Sequence, residues 1–226
     1  MTRSERNMIM SALIVSVFAA IIVVGIIAWK RIKHKERYRL IANAKADYIF
    51  WNGKKEAEKA VSNVLVDYWK YAGINFDAES MQDPAVHSKY PWSSAYISSL
   101  VLRSGYENFK GRPTHASYVV DAKENRAKKM KNSFWAFSPS EKQKVEIGDI
   151  IVQNRSGSTQ KLANITRTTP THGDIVIDFG KKDGEKYAIA QGGNVGNSVK
   201  QTWVKLTSDG TLPENGKHFA HLKYIP

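Results

Sequence analysis

Asp174-Ile-Val-Ile-Asp-Phe-Gly-Lys-Lys-Asp-Gly-Glu-Lys-Tyr-Ala-Ile-Ala190 decides the fold class of this chain. Two short apolar runs, Asp174 to Asp178 and Lys186 to Ala190, stand either side of the turn signal Asp183-Gly184 and read as strands. Asp149-Ile-Ile-Val-Gln153 upstream and Thr202-Trp-Val-Lys-Leu206 downstream repeat the pattern, with Gly192-Gly193 and Asp209-Gly210 as further turns. From about Val145 onward the chain is therefore expected to be an antiparallel sheet.

Ahead of that point the apolar period lengthens. Ala57, Ala60, Val61, Val64, Leu65 and Tyr68 form one stripe at helical spacing, which predicts a helix from Lys54 to about Tyr71. Another is expected between Pro91 and Gly105, because proline suits a first helical turn, glycine closes an end, and Ile97, Leu100 and Val101 share a face. Helices first and strands afterwards define an α+β domain.

The N-terminus has a different character. No charged side chain occurs from Asn7 to Trp29, where Leu13, Ile14, Val15, Phe18, Ile21, Ile22, Val23, Val24, Ile26 and Ile27 dominate. About 22 apolar residues at 1.5 Å each would cross a hydrocarbon core of about 30 Å. The run is longer than the apolar part of a signal peptide. Met8–Trp29 is accordingly expected to be a single transmembrane helix with the lipid bilayer as its partner. Lys30, Arg31, Lys33, Lys35, Arg37 and Arg39 follow at once, read as a stop-transfer flank touching anionic headgroups. The expected organisation is a tail and membrane helix over 1–29, a basic juxtamembrane helical linker over 30–53 and one α+β domain over 54–226.

The net charge of +13 attracts anionic partners without choosing among them. Base-stacking aromatics do not interleave with the basic cluster, which argues against nucleic acid. The chain has no cysteine, so disulfides, thiolate metal sites and a thiol nucleophile are excluded. Phosphate-cradling, dinucleotide and His-Glu-x-x-His patterns are absent, and His218 and His221 lie in an apparent strand, so neither cofactor nor metal is expected.

Three features stand apart from packing. Ser93-Ser94 opens a helix, where the macrodipole and free N–H groups favour a developing anion, although serine there is also a good cap. His172 heads a strand and could serve as general base, or be a satisfied strand-end histidine. The Gln191-Gly-Gly-Asn194 turn could supply the polar side chain that orients it. Candidate catalytic residues are thus Ser93, His172 and Asn194, supported by Ser94, His115, Asp174 and Gln191. His172 and Asp174 alternate onto one face of their strand, and His115 comes from the helical half.

Pro91-Trp-Ser-Ser-Ala-Tyr-Ile-Ser98, Thr114-His-Ala-Ser-Tyr118, Gly148-Asp-Ile150, Thr171-His-Gly-Asp-Ile-Val176 and Gly193-Asn-Val195 carry a sharper resemblance. From Lys54 to the C-terminus the chain resembles the bacterial and phage domain-of-unknown-function family twenty-two seventy-two, itself similar to the papain-like CHAP and NlpC cell-wall amidases and peptidases. The resemblance implies a papain-like domain with Ser93 at the cysteine position, His172 at the catalytic histidine and Asn194 near the third polar residue. It departs at Gly192, where an acidic residue is often found, and in carrying a hydroxyl nucleophile.

Two functions follow as expectations. One is a membrane-anchored hydrolase of peptidoglycan amide or peptide bonds; the other is a catalytically silent, membrane-anchored binding or structural module of the same fold. The basic flank argues for a cytoplasmic domain and the cell-wall resemblance for an external one. The orientation expected is single-pass with an extracytoplasmic domain.

Overall fold

The computed structural model describes residues 16–17, 35–155, 157 and 159–226. The chain divides into two compact units, Met1–Tyr38 and Arg39–Pro226. Helix α1, Lys35–Trp51, buries Leu40, Ala44, Asp47 and Trp51, which recur at three- and four-residue spacing and so share one face. Residues expected to belong to a linker thus contribute to the core of the second unit.

Helix α2, Lys59–Tyr71, buries Val61, Leu65, Tyr68 and Trp69, and the chain turns away at Gly73 with φ +82°. The short α3, Pro84–Lys89, starts on proline, and the Asp83 carboxylate accepts a hydrogen bond from the Ala85 amide at 2.8 Å. Helix α4, Ser93–Arg103, is the hub: every residue from Ser93 to Val101 is buried. Helix α5, His115–Ala127, begins behind Thr114, whose hydroxyl caps the Ser117 amide.

Six strands make one antiparallel sheet: β1 Ser133–Phe137, β2 Ile150–Asn154, β3 Thr171–Lys182, β4 Glu185–Gly192, β5 Lys200–Lys205 and β6 His218–Ile225. Their order is β1-β6-β2-β3-β4-β5. Asp183 and Gly184 both take positive φ, 51° and 77°, which suits the two-residue turn joining β3 to β4 to the twist of the flanking strands. Alternation sorts β2 between two cores. Ile150 and Val152 join the large cluster under the helices, whereas Ile151 joins a smaller one with Val176, Ala188, Ala190 and Val204. Helices first, then an antiparallel sheet, is the α+β architecture expected from the period change.

The membrane expectation is corrected. No helix among the described residues is long and apolar enough to cross a membrane. The 17 residues of α1 include Lys35, Glu36, Arg37, Arg39, Lys45 and Asp47, too many charges for a hydrocarbon core. The stretch Met8–Trp29 on which the span was placed lies outside the described residues, save Ser16 and Val17. The transmembrane part of the fold class, the bilayer and the headgroups at Lys30–Arg39 as partners, and the single-pass extracytoplasmic localisation are withdrawn with it.

Candidate functional site

Helix α4 brings its first residue against the first residue of α5. Ser93 Oγ lies 2.7 Å from His115 Nε2, and His115 Nδ1 lies 2.5 Å from the Tyr118 hydroxyl. His115 and Tyr118 are three apart on one helix, so they face the same way. In the tautomer protonated on Nδ1, His115 donates to the Tyr118 oxygen and leaves Nε2 to accept the serine proton.

The approach of the two helix starts has a cause in the loop between them. Ser94 Oγ and Ser98 Oγ both donate to the Arg112 carbonyl, at 2.9 and 3.1 Å, and the Arg112 amide donates back to Ser98 Oγ at 2.9 Å. Arg112 then clamps Asp121 of α5 at 2.7 and 3.2 Å. Two serine side chains therefore moor the loop three residues ahead of His115. Ser94, expected as a supporting catalytic group, is engaged in this mooring.

His172 enters from β3. Its ring meets the His115 ring edge-on with centroids 5.1 Å apart, and its Nε2 stands 2.8 Å from Asp174 Oδ1. His172 Nδ1 is buried without a hydrogen-bond partner. In the His172-Gly173-Asp174 run the glycine matters for space. A Cβ at Gly173 would collide with the Tyr118 hydroxyl and crowd His115 Nδ1, and one at Gly192 would collide with the Asp174 carboxylate and approach His172 Nε2. Two missing side chains thus make room for two polar pairs. Gly192→Ala is expected to destabilise the fold by about 1–3 kcal/mol, an overpacking cost. Thermal unfolding would read this as a drop of roughly 2–12 °C; an unchanged midpoint would mean that Asp174 does not need that space.

Burial sets the electrostatics. It holds the His115 imidazole well below its ordinary value, with the neighbouring His172 and Arg155 acting in the same direction, so His115 is neutral at pH 7. Burial, with the Asp174 charge adding to it, holds the Tyr118 phenol far above its ordinary value, so it remains protonated. His218, opposite Gln153, which is itself opposite His172, is pulled down to about 4, chiefly by burial and then by Lys217.

The remaining candidates lie apart from this cluster. Gln191 Nε2 donates to the Ala44 carbonyl and the Tyr96 hydroxyl, both at 2.6 Å, which ties β4 to α1 and α4. Asn194 occupies a left-handed turn position, φ 57°, and its side chain bonds neither histidine. Sequence reasoning missed Tyr118, which the His-x-x-Tyr spacing would reveal once α5 is known to be a helix. It also missed Arg155. A cavity of about 650 Å³ between α1, α2 and α4 includes Asp47, Tyr68 and Arg103 in its wall but not Ser93 or either site histidine. Among the described residues no group of three or more His, Cys, Asp or Glu is arranged to hold a metal ion.

A family model described as an uncharacterized protein conserved in bacteria (DUF2272) matches residues 27–224. The chain belongs to this family. The match begins ahead of α1, so the family domain takes in more of the chain than the stretch from Lys54 onward. No curated protein and no solved structure matches the chain.

The expected membrane-anchored peptidoglycan hydrolase is corrected on two counts. No membrane-crossing helix occurs among the described residues, and the whole chain lacks the cysteine that papain-like enzymes use. The cell wall as a partner is withdrawn with it, and so is the membrane-anchored silent module.

Proposed function

We propose that Ser93 is the nucleophile of an acyl-transfer centre and that His115 is its general base. The bond from Ser93 Oγ to His115 Nε2, 2.7 Å between two enclosed side chains, is the observation that carries this reading. A serine hydroxyl is a weak nucleophile until a base takes its proton. His115 is neutral, and the Tyr118 hydroxyl holds its other nitrogen. Ser93 Oγ attacks a carbonyl carbon while its proton passes to His115 Nε2; the imidazolium then returns that proton to the leaving group, giving an acyl-serine.

The start of α4 supports the second requirement, stabilisation of the oxyanion. Its N-terminus has no side-chain cap and no acidic residue in the first turn. The N–H groups there and the helix dipole are therefore available to negative charge. The His172–Asp174 pair meets His115 through the edge of the His172 ring and serves in this scheme as a second proton-handling pair. Similarity to the CHAP and NlpC enzymes belongs to the same proposal and is supported by a serine in a helix's first turn and a strand histidine, His172, packed edge-on against the base that the serine bonds. Asp174 fills the space beside Gly192 and supplies the acidic group absent there.

Burial favours one competing reading, a polar network that only braces α4 against α5. Ser93 is 2 % exposed and His115 4 %. The two readings part on a covalent test. Full-length protein treated with a fluorophosphonate is expected to gain one phosphonyl group on Ser93, found by peptide mass spectrometry, with fluoride as leaving group. Ser93→Ala is expected to abolish it. Absence of labelling at Ser93, with Ser93→Ala lowering only stability by about 1–3 kcal/mol, would establish the bracing role instead.

A further inference from the structure

Four arginines of the second unit hold carboxylates. Arg103 pairs with Asp47, Arg112 with Asp121, Arg126 with Glu141, and Arg167 with both Asp121 and Glu124. Arg155 is half-buried and has no hydrogen bond or ion pair among the described residues. A partly desolvated guanidinium without an anion is costly unless something else brings the anion.

Its position says where that anion would sit. The last pairs of the β2–β3 ladder are Gln153 with His172 and Asn154 with Thr171. Arg155 is the next residue, so it leaves β2 beside the point where β3 delivers His172. Asn154 fixes this exit, since its side-chain amide donates to the Gln160 and Gly216 carbonyls, each at 3.1 Å. The charge of Arg155 also reaches His115, acting to lower its affinity for a proton. His172, the partner of Gln153 in that ladder, has a buried Nδ1 with no hydrogen-bond partner. A cation without an ion pair and a ring nitrogen without a hydrogen bond thus both belong to the surroundings of His115.

We propose that Arg155 recognises a carboxylate on the acyl group presented to Ser93. A planar guanidinium matches a carboxylate in a two-pronged geometry that lysine cannot reproduce. A single negative charge suits the site better than a phosphate dianion, because Asp174 stands close behind His172 and would repel the second charge. The acyl part of this inference rests on the reading of Ser93 as nucleophile; the recognition of an anion does not.

Histidine ring signals of the full-length protein, followed by NMR, give a test independent of turnover. Monomethyl succinate, a monoanion, and dimethyl succinate, its neutral counterpart, are titrated in turn. The monoanion is expected to bind about tenfold more tightly than the diester, Arg155→Gln to erase that preference, and Arg155→Lys to keep part of it. Equal titration by the two esters, no saturable titration by the monoanion, or a preference that survives Arg155→Gln would overturn the proposal. Failure of Ser93 to take a fluorophosphonate, with this titration intact, would remove the acyl chemistry and leave a carboxylate-binding site.

Discussion

His115→Gln is expected to slow phosphonylation of Ser93 by about a thousandfold, within the range for loss of a general base. Glutamine keeps roughly the length and polarity of the side chain but has no nitrogen that can take the serine proton. A residue of rate should survive, because the uncapped N-terminus of α4 is untouched and still stabilises negative charge. The pH profile separates this role from bracing. Burial holds the His115 imidazole well below its ordinary 6.5. The base is lost only when pH falls through that depressed value, so the wild-type labelling rate should stay level from pH 8 down past 6.5 and fall only in more acid solution. The His115→Gln profile should lack that acid limb. A wild-type rate that fell around pH 6.5, as for a solvated histidine, would contradict an enclosed base; an equal rate in the variant would remove His115 from the chemistry.

How much of this centre could be read from the chain depends on the distance over which each piece is determined. The β3–β4 hairpin was legible because Asp183-Gly184 and its flanking runs lie within one stretch, and the turn needs the positive φ that this pair adopts. The start of α4 was legible from Pro91 and the apolar period behind it. Helix α5 was not, since its buried positions include small and polar residues, His115, Ala116 and Ala122, which make a weak stripe. Strand β1 was missed for another reason. The strand exists through pairing with the end of the chain, Phe137 opposite His221, which no neighbouring stretch of sequence records.

Within the site, the pairing of His172 with Asp174 was half visible, because alternate strand residues share a face. That Ser93 should bond His115 depends on the Ser94 and Ser98 bonds to the Arg112 carbonyl, a long-range arrangement without a local signature. Asn194 and Gln191 were chosen by order along the chain. Order does not record that Gln191 turns toward α1 and α4, nor that Asn194 is spent on a left-handed turn.

The same α4 that begins with Ser93 ends with Arg103, and the largest stability effect is expected there. Arg103 donates to Asp47 of α1 at 2.5 Å, and its guanidinium also lies over the Tyr68 ring at 5.9 Å. Arg103→Ala leaves the Asp47 carboxylate enclosed without its cation. Breaking a buried pair from one side costs about 3–5 kcal/mol. The lower end, about 3, applies here because the Arg103 side chain is 30 % exposed while that of Asp47 is 12 %. The loss should depend on pH in a definite sense. Burial already raises the Asp47 carboxyl above its ordinary value, with Arg103 opposing that rise. Without Arg103 the folded-state value climbs further, so the folded protein binds a proton that the unfolded chain gives up. Stability of the variant then increases as pH falls from the raised folded value toward the ordinary 3.8. Urea unfolding of both proteins at pH 7.5 and pH 5 would measure it, the gap narrowing at the lower pH. A gap that is constant or wider at pH 5 would mean that Asp47 is not the group left stranded, and that Arg103 stabilises through its stem and the Tyr68 face alone.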